Sequence, residues 1–294
     1  VLAMLAAIVA LPAFAGCLMP SGRGRVMMAS IALVAVIGWV DDHRPLSARL
    51  RLFVHFLAAA IVIHSGIGAF AIGGSSGGLV PPWTWITTWV VWLAVIWSIN
   101  LHNFMDGING ILSAQALFVF GSLALLASLG GFPLYYVLLP LVFAAAVLGF
   151  FPWNFPRARI FMGDVGSGVL GLVIAIAILS EGRALAVTTG LVLCSAFVAD
   201  ATCTLLSRML RGRRWYSAHR EHLYQWLVRA GLSHAKVVAL YMSWNLLIAL
   251  PAVLWMNRVA QNTMSNEIVP AIGVYGLAAG AWWLGKRWCL RHAR

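Results

Sequence analysis

The chain has 294 residues, of which 62% are hydrophobic and 10% charged, against about 25% charged in soluble domains. Apolar stretches recur from end to end, which excludes a soluble globular protein and one carried on a single anchor. A net charge of +12 is also found in nucleic-acid binders, but no soluble basic domain exists here to hold one, so it reads as membrane topology and as attraction for anionic lipid or phosphate.

The composition predicts an all-α polytopic membrane protein, a single integral-membrane domain over residues 1–294. Ten spans can be drawn, at 2–19, 26–40, 51–72, 84–100, 110–129, 134–151, 166–180, 185–206, 237–256 and 268–285. Their interiors are rich in Leu, Ala, Val and Ile, and the alternating ten-residue strands of a membrane barrel are missing from the sequence. Residues 13–15, Ala-Phe-Ala, resemble a signal-peptidase site. No basic segment precedes them, so a span is predicted instead. The first residue is Val1, which predicts a start that is either truncated or mis-assigned at a non-Met codon. Alternate loops then fall on opposite sides. Only Arg23, Arg25, Arg183 and Arg258 lie on one side, and the other 16 of the 20 Lys and Arg lie opposite. That second side is predicted to be cytoplasmic.

Six of the eight acidic residues share this Arg-rich edge: Asp41, Asp42, Asp106, Asp164, Asp200 and Glu221. Glu181 and Glu267 fall on the opposite side. Carboxylates are costly near hydrocarbon unless paired, hydrated or bound to metal. A set of them facing a phosphate-rich solution suggests a divalent cation and phosphoryl chemistry. The cysteines, Cys17, Cys194, Cys203 and Cys289, contain no CxxC pair, so neither a disulfide nor a zinc site is expected.

Four motifs follow in chain order. Trp39–Arg51 ends a span on two adjacent acids, Asp41 and Asp42, with Arg44, Arg49 and Arg51 after them. Adjacent acids repel, so a nearby cation would help keep both ionised; a hydrated turn with Pro45 opening the next helix explains the same residues. Asn100–Gly110 packs Asn100, His102, Asn103, Asp106 and Asn109 into eleven residues. Side-chain amides can ligate Mg²⁺ or read a base edge, and the two glycines admit a ligand close to backbone. A helix cap would need only one such residue. Phe155–Gly168 carries Arg157 and Arg159, suited to phosphate, and Asp164 before a Gly/Ser-rich helix start, where free N–H groups favour an anion or its metal complex. No Gly-Lys-Ser/Thr follows, so it is no Walker A loop.

Asp200 lies inside the eighth predicted span, where a carboxylate is a functional candidate or half of a structural pair. The last motif, Arg211–Gln225, places His219 and His222 three residues apart around Arg220. On a helix both rings would share a face, suited to a diphosphate or lipid phosphate. Arg211, Arg213 and Arg214 read as topology anchors, His55 and His64 as structural, and the Trp residues as interfacial.

Together the motifs resemble the polyprenyl-phosphate N-acetylhexosamine-1-phosphate transferase superfamily, over residues 35–225 and in the same order. The His-Arg-Glu-His-Leu-Tyr-Gln and Asn-Phe-Met-Asp-Gly-Ile-Asn-Gly forms are most similar to its O-antigen-initiating members. The resemblance implies a multi-pass enzyme of the bacterial inner membrane with its site facing the cytoplasm. It implies transfer of a sugar 1-phosphate from a UDP-N-acetylhexosamine to undecaprenyl phosphate, releasing UMP, with Mg²⁺ as cofactor and Mn²⁺ as an alternative ion; it leaves open direct attack, the favoured reading, and passage through an enzyme-bound phosphosugar. By motif, Asp164 would bind the metal with Asn103. Asp41 and Asp42 would orient or deprotonate the lipid phosphate. Asn100, Asp106 and Asn109 would position the nucleotide, and His219, Arg220 and His222 would hold the diphosphate. Two departures stand out. Asn109 occupies a position where many members have Asp, and the usual first span with its Pro/Arg/His-containing loop does not precede residue 26. A secondary transporter using Asp200, or an inactive truncated homologue, are the competing readings. None of these motifs reports which sugar is used.

Overall fold

The computed structural model describes residues 21–66, 84–180, 186–213, 219–259 and 265–292. The predicted span 2–19 lies outside them. Helices follow in order: α1 (Ser21–His43), α2 (Ala48–His64), α3 (Thr84–Met105), α4 (Ile111–Leu129), α5 (Leu134–Asn154) and α6 (Gly163–Ser180). Then come α7 (Ala186–Leu193), α8 (Ser195–Leu210), α9 (Leu223–Arg229), α10 (His234–Trp244), a π-helical turn (Asn245–Ala249), α11 (Leu250–Val259) and α12 (Ser265–His292). No strand occurs among the described residues.

Seven of these segments are long and apolar enough to cross a membrane, and α7 with α8 makes an eighth if that bent pair is counted as one. The predicted 51–72 appears as α2, only 17 residues long. It begins after Ser47, whose hydroxyl accepts the Leu50 N–H at 3.3 Å, the usual N-cap bond. Large side chains such as Trp85, Leu93, Leu247 and Ile272 stand exposed on the outer faces. Such a surface suits lipid and not water.

The predicted span 185–206 is a pair of helices bent by 80°. Cys194 sits at the break. Backbone groups released at membrane depth need protein partners, and they have them here. The Leu193 carbonyl accepts from Gln115 Nε2 at 3.1 Å, and Gln115 Oε1 accepts from Asn245 Nδ2 at 2.7 Å. Trp244 Nε1 donates to Ser195 Oγ at 3.0 Å.

Helix α6 lies at the centre, with most of its residues buried. Two close approaches fix it. A Cβ on Gly171 would come 2.6 Å from the Ser98 carbonyl oxygen of α3, and the Gly171 carbonyl accepts from Ser98 Oγ at 2.7 Å. A Cβ on Gly38 of α1 would come 2.7 Å from the Asp164 carbonyl at the start of α6. Backbones can meet this closely only where no side chain intervenes. The ends of α1, α3, α5 and α8 and the starts of α2, α4, α6 and α10 are thereby gathered at one end of the bundle, the Arg-rich one.

Gly171→Ala should therefore lower thermal stability in detergent, by about 1–3 kcal/mol if overpacking acts here as in other cores. Gly149→Ala, where a Cβ meets nothing within 4 Å, should not lower it. Equal melting temperatures for the two variants would contradict this packing.

Candidate active site

Four helix ends build an acidic edge. Asp41, at the end of α1, accepts the Leu46 N–H at 2.6 Å on one oxygen and Arg51 Nη1 at 2.8 Å on the other. The same Arg51 nitrogen reaches Asp164 at 3.4 Å. Asp42 accepts the backbone N–H groups of Asp164 at 2.9 Å and Val165 at 3.4 Å. It thus caps α6 from a neighbouring helix, where the unpaired N–H groups of a helix start favour negative charge. Gly163 has φ +67° and lies so close that a Cβ there would fall 2.6 Å from Asp42 Oδ2. Both demands select glycine. From α3, Asn103 Nδ2 donates to Asp164 Oδ1 at 2.9 Å and to Ser167 Oγ at 3.0 Å.

Beside this edge opens a cavity of about 250 Å³. It is walled by Asn103, Asp106, Asn109, Asn154, Asp164 and Ser167, with Phe161 exposed beside it. Small-molecule sites run to roughly 300–1,000 Å³, so the enclosed part suits a phosphate or a base and not a whole nucleotide sugar. Burial first, and the Asp164 carboxylate second, push the Asp106 carboxyl up to about 8. Two acids facing one small space raise each other's cost of ionisation, and a cation between them would lower it. Asn109 N–H donates to His234 Nδ1 at 3.3 Å, and Asn109 Nδ2 to the Pro156 carbonyl at 3.3 Å. Asn154 joins two walls. Its oxygen accepts the Gly110 N–H at 2.9 Å and its amide donates to the Ile160 carbonyl at 3.0 Å.

The structure does not bring every predicted residue to this cavity. Asn100 lies one turn before Asn103 and donates to the Ile96 carbonyl at 2.8 Å; it is not among the walls. Arg157 and Arg159 are exposed on the loop after α5, and the Arg159 N–H donates to the Trp153 carbonyl at 2.8 Å. Conversely, Arg51, Asn154, Ser167 and His234 were not selected from the sequence. Arg51 and Ser167 stood inside the quoted motifs. Asn154 is one residue before the third motif, and His234 had no local signal at all.

His219 and His222 do not sit on a shared helix face. They precede α9 in an irregular segment, yet their ring centroids are 5.0 Å apart. His222 is buried and Arg220 exposed. Among the described residues the buried Nδ1 atoms of both histidines have no hydrogen-bond partner. Burial first and His222 second push His219 down to about 4, with Arg208 adding to the effect and Glu221 and Asp200 opposing it. Burial also lowers His222, against the pull of Asp200. Both rings are thus neutral near pH 7. Glu221 bonds Arg208, and Arg213 at 2.9 Å. Burial would raise its carboxyl, but the two arginines outweigh burial and hold it below the ordinary range.

The family profile described as glycosyl transferase family 4 matches residues 25–181, more than half of the chain. The chain is 31% identical, over 285 residues, to a decaprenyl-phosphate N-acetylglucosaminephosphotransferase of Mycobacterium leprae, an alignment covering 88% of this chain and 70% of that relative. The chain belongs to glycosyl transferase family 4. It falls in the superfamily of polyprenyl-phosphate N-acetylhexosamine-1-phosphate transferases, as its motifs implied. It is 26% identical to the undecaprenyl-phosphate alpha-N-acetylglucosaminyl 1-phosphate transferase of Yersinia pestis, over 92% of this chain and 77% of the relative. It is 29% identical to the phospho-N-acetylmuramoyl-pentapeptide-transferase of Shouchella clausii, over 74% and 70%. Against the Mycobacterium tuberculosis counterpart of the first relative it spans 63% of the length. The profile covers the acidic edge and the cavity walls named above, whereas the histidine segment lies beyond it.

The His219 imidazole should titrate near 4 by NMR in the ligand-free protein, with His222, Arg208, Glu221 and Asp200 as the surrounding charged groups. A ring with a depressed value stabilises the fold above about pH 6.5, the ordinary His value, and that contribution is lost as pH falls toward 4. A midpoint at or above the ordinary value would contradict the buried geometry.

Proposed function

We propose that this chain transfers a sugar 1-phosphate, of the N-acetylhexosamine type, from a UDP-sugar to undecaprenyl phosphate at the cytoplasmic face of the bacterial inner membrane. The products are undecaprenyl-diphospho-sugar and UMP, and the reaction begins O-antigen or another envelope polysaccharide. The observation that carries this reading is the cavity at the Arg-rich end of the bundle, bordered by Asp106 and Asp164 and adjoining Asp41, Asp42 and Arg51. The relatives above that are named for decaprenyl or undecaprenyl phosphate support it.

The donor set fits a magnesium or manganese ion. Asp164 offers hard carboxylate oxygens, and the Asn103 amide, whose Nδ2 donates to Asp164 at 2.9 Å, would add its oxygen on turning over. Among the described residues no three His, Cys, Asp or Glu side chains form a metal cage. Mg²⁺ is ordinarily held by one or two carboxylates together with substrate phosphates, so this set suits it. When bound, the cation would neutralise phosphate charge and polarise the phosphorus–oxygen bonds.

The remaining roles belong to side chains. Asp106 and Asn109 hold the nucleotide within the cavity. His219, Arg220 and His222 donate to the diphosphate; two neutral imidazoles supply hydrogen bonds, and Arg220 supplies charge. Arg157 and Arg159 attract the anionic donor from solution. Asp41 and Asp42, at the membrane-proximal edge, orient the lipid phosphate. An oxygen of that phosphate attacks the β-phosphorus of the UDP-sugar. The bond from that phosphorus to the bridging oxygen breaks, and its electron pair leaves with UMP. Positioning and charge neutralisation account for most of the acceleration in such transfers.

Membranes containing the protein should release UMP from a UDP-N-acetylhexosamine when undecaprenyl phosphate and Mg²⁺ are present. Asp164→Asn should reduce the rate by about a hundredfold or more, the scale for losing one electrostatic partner of the transition state, with the protein still folded. Turnover that is untouched by EDTA would contradict the metal role.

A further inference from the structure

Asp200 is 2% exposed and lies in α8, away from the cavity walls. Five donors converge on its two oxygens. The Leu223 N–H is at 2.7 Å, the Tyr241 hydroxyl at 2.7 Å, Thr204 Oγ1 at 3.2 Å, Trp282 Nε1 at 3.2 Å and the Tyr224 N–H at 3.3 Å. A carboxylate fits this place because it accepts on both oxygens. An ion-coupling site of a transporter would need a carboxylate with room for its ion; this one is saturated by protein donors.

Two of those donors are the first N–H groups of α9, directly after His222. Tyr224 then reaches the other way. Its side chain is fully buried. Its hydroxyl donates to the Phe104 carbonyl at 3.0 Å and accepts from Gln225 Nε2 at 3.1 Å. Gln225 Oε1 in turn accepts the His222 N–H at 3.2 Å, and the His222 ring stacks on Tyr224 at 5.9 Å. Gly107 is where this ring lands, since a Cβ there would fall 2.0 Å from the Tyr224 hydroxyl. Phe104 and Gly107 belong to the turn that carries Asn103, Asp106 and Asn109.

We propose that Asp200 and Tyr224 are positioning residues that hold the His219–His222 segment at one fixed distance from the Asn103–Asn109 turn. Asp200 anchors the start of α9, and Tyr224 is the spacer between the two segments. The nucleotide and the diphosphate of one donor molecule are then gripped together. This rests on the reading of these two segments as donor-binding. It also gives a role that involves no contact with substrate to the most buried carboxylate among the described residues. Buried hydrogen-bonded groups of this kind transmit position because each has one satisfied arrangement.

Two measurements test it. In steady-state assays with UDP-N-acetylglucosamine and undecaprenyl phosphate, Tyr224→Phe keeps the ring and loses only the hydroxyl. It should raise KM for the nucleotide sugar roughly five- to tenfold, the worth of one buried hydrogen bond, and leave KM for the lipid unchanged. Asp200→Asn sets amide hydrogens against donors and should do at least as much. The double variant should be no worse than Asp200→Asn alone, because both act through one link. A folded Tyr224→Phe protein with wild-type KM for the sugar donor, or with equal rises for both substrates, overturns the proposal.

Hydrogen exchange supplies a readout independent of activity. In Asp200→Asn the Leu223 and Tyr224 amides should exchange at least tenfold faster while α6 is unchanged. Unchanged exchange at these two amides also overturns it. Should the wild-type protein release no UMP while those amides respond as expected, the transferase reading fails and the brace stands. Should Asp200→Asn not fold, exchange in Tyr224→Phe at residues 222–226 decides: faster exchange supports the brace and unchanged exchange overturns it.

Discussion

The start of α6 is held from outside its own helix, and the arrangement of the site follows from that. Asp42, on α1, accepts the N–H groups of Asp164 and Val165. It reaches them because Gly38 lets α1 lie against the backbone of Asp164 and because Gly163 leaves space for the carboxylate. The cap fixes where Asp164 begins its helix. That placement sets the Asp164 side chain beside Asn103 on one oxygen and near Arg51 on the other. A methyl group at Gly38 would push α1 outward and remove the cap, the ion pair and one wall of the acidic edge together.

A second layer of support stands behind the histidine segment. Glu221 is clasped by Arg208 and Arg213, and its carbonyl accepts from Lys286 at 3.0 Å. Lys286 also lies 4.3 Å from the Trp226 ring centre. Helices α8, α9 and α12 are tied in this way through polar contacts at the bundle's end. Without the hydrophobic drive that joins helices in water, packing and such contacts carry helix association in a membrane. The six acids of the Arg-rich edge divide accordingly. Asp106 and Asp164 face the cavity, Asp41 and Asp42 border it and also tie helix ends, and Asp200 and Glu221 hold backbone and arginine.

Much of this was legible in the sequence. Apolar runs marked the helices, charge parity singled out the Arg-rich end of the bundle, and three of the four local motifs hold residues that meet there. What was not legible depends on helices distant in sequence. The bend at Cys194 has no proline or glycine to announce it, and its freed carbonyl is satisfied by Gln115 from α4. The shared helical face expected for His219 and His222 gives way to an irregular segment because Asp200 claims the first N–H groups of α9. Asn154 and His234 enter the site through contacts 44 and 125 residues away, which no local pattern encodes. Asn100 shares a helix face with Asn103 but lies about 4.5 Å further down the α3 axis, where it donates to the Ile96 carbonyl, so only Asn103 lines the cavity.

On the proposed function, one cation held by Asp164 meets the donor diphosphate in this cavity. Mn²⁺ offers the most direct test, because its electron spin couples to phosphorus nuclei that it touches. Electron–nuclear double resonance on the protein with Mn²⁺ and UDP-N-acetylglucosamine should show ³¹P coupling, and Asp164→Asn should abolish it in folded protein. Coupling that persists unchanged in Asp164→Asn, or Mn²⁺ bound to the wild-type protein with no phosphorus coupling, would contradict the account.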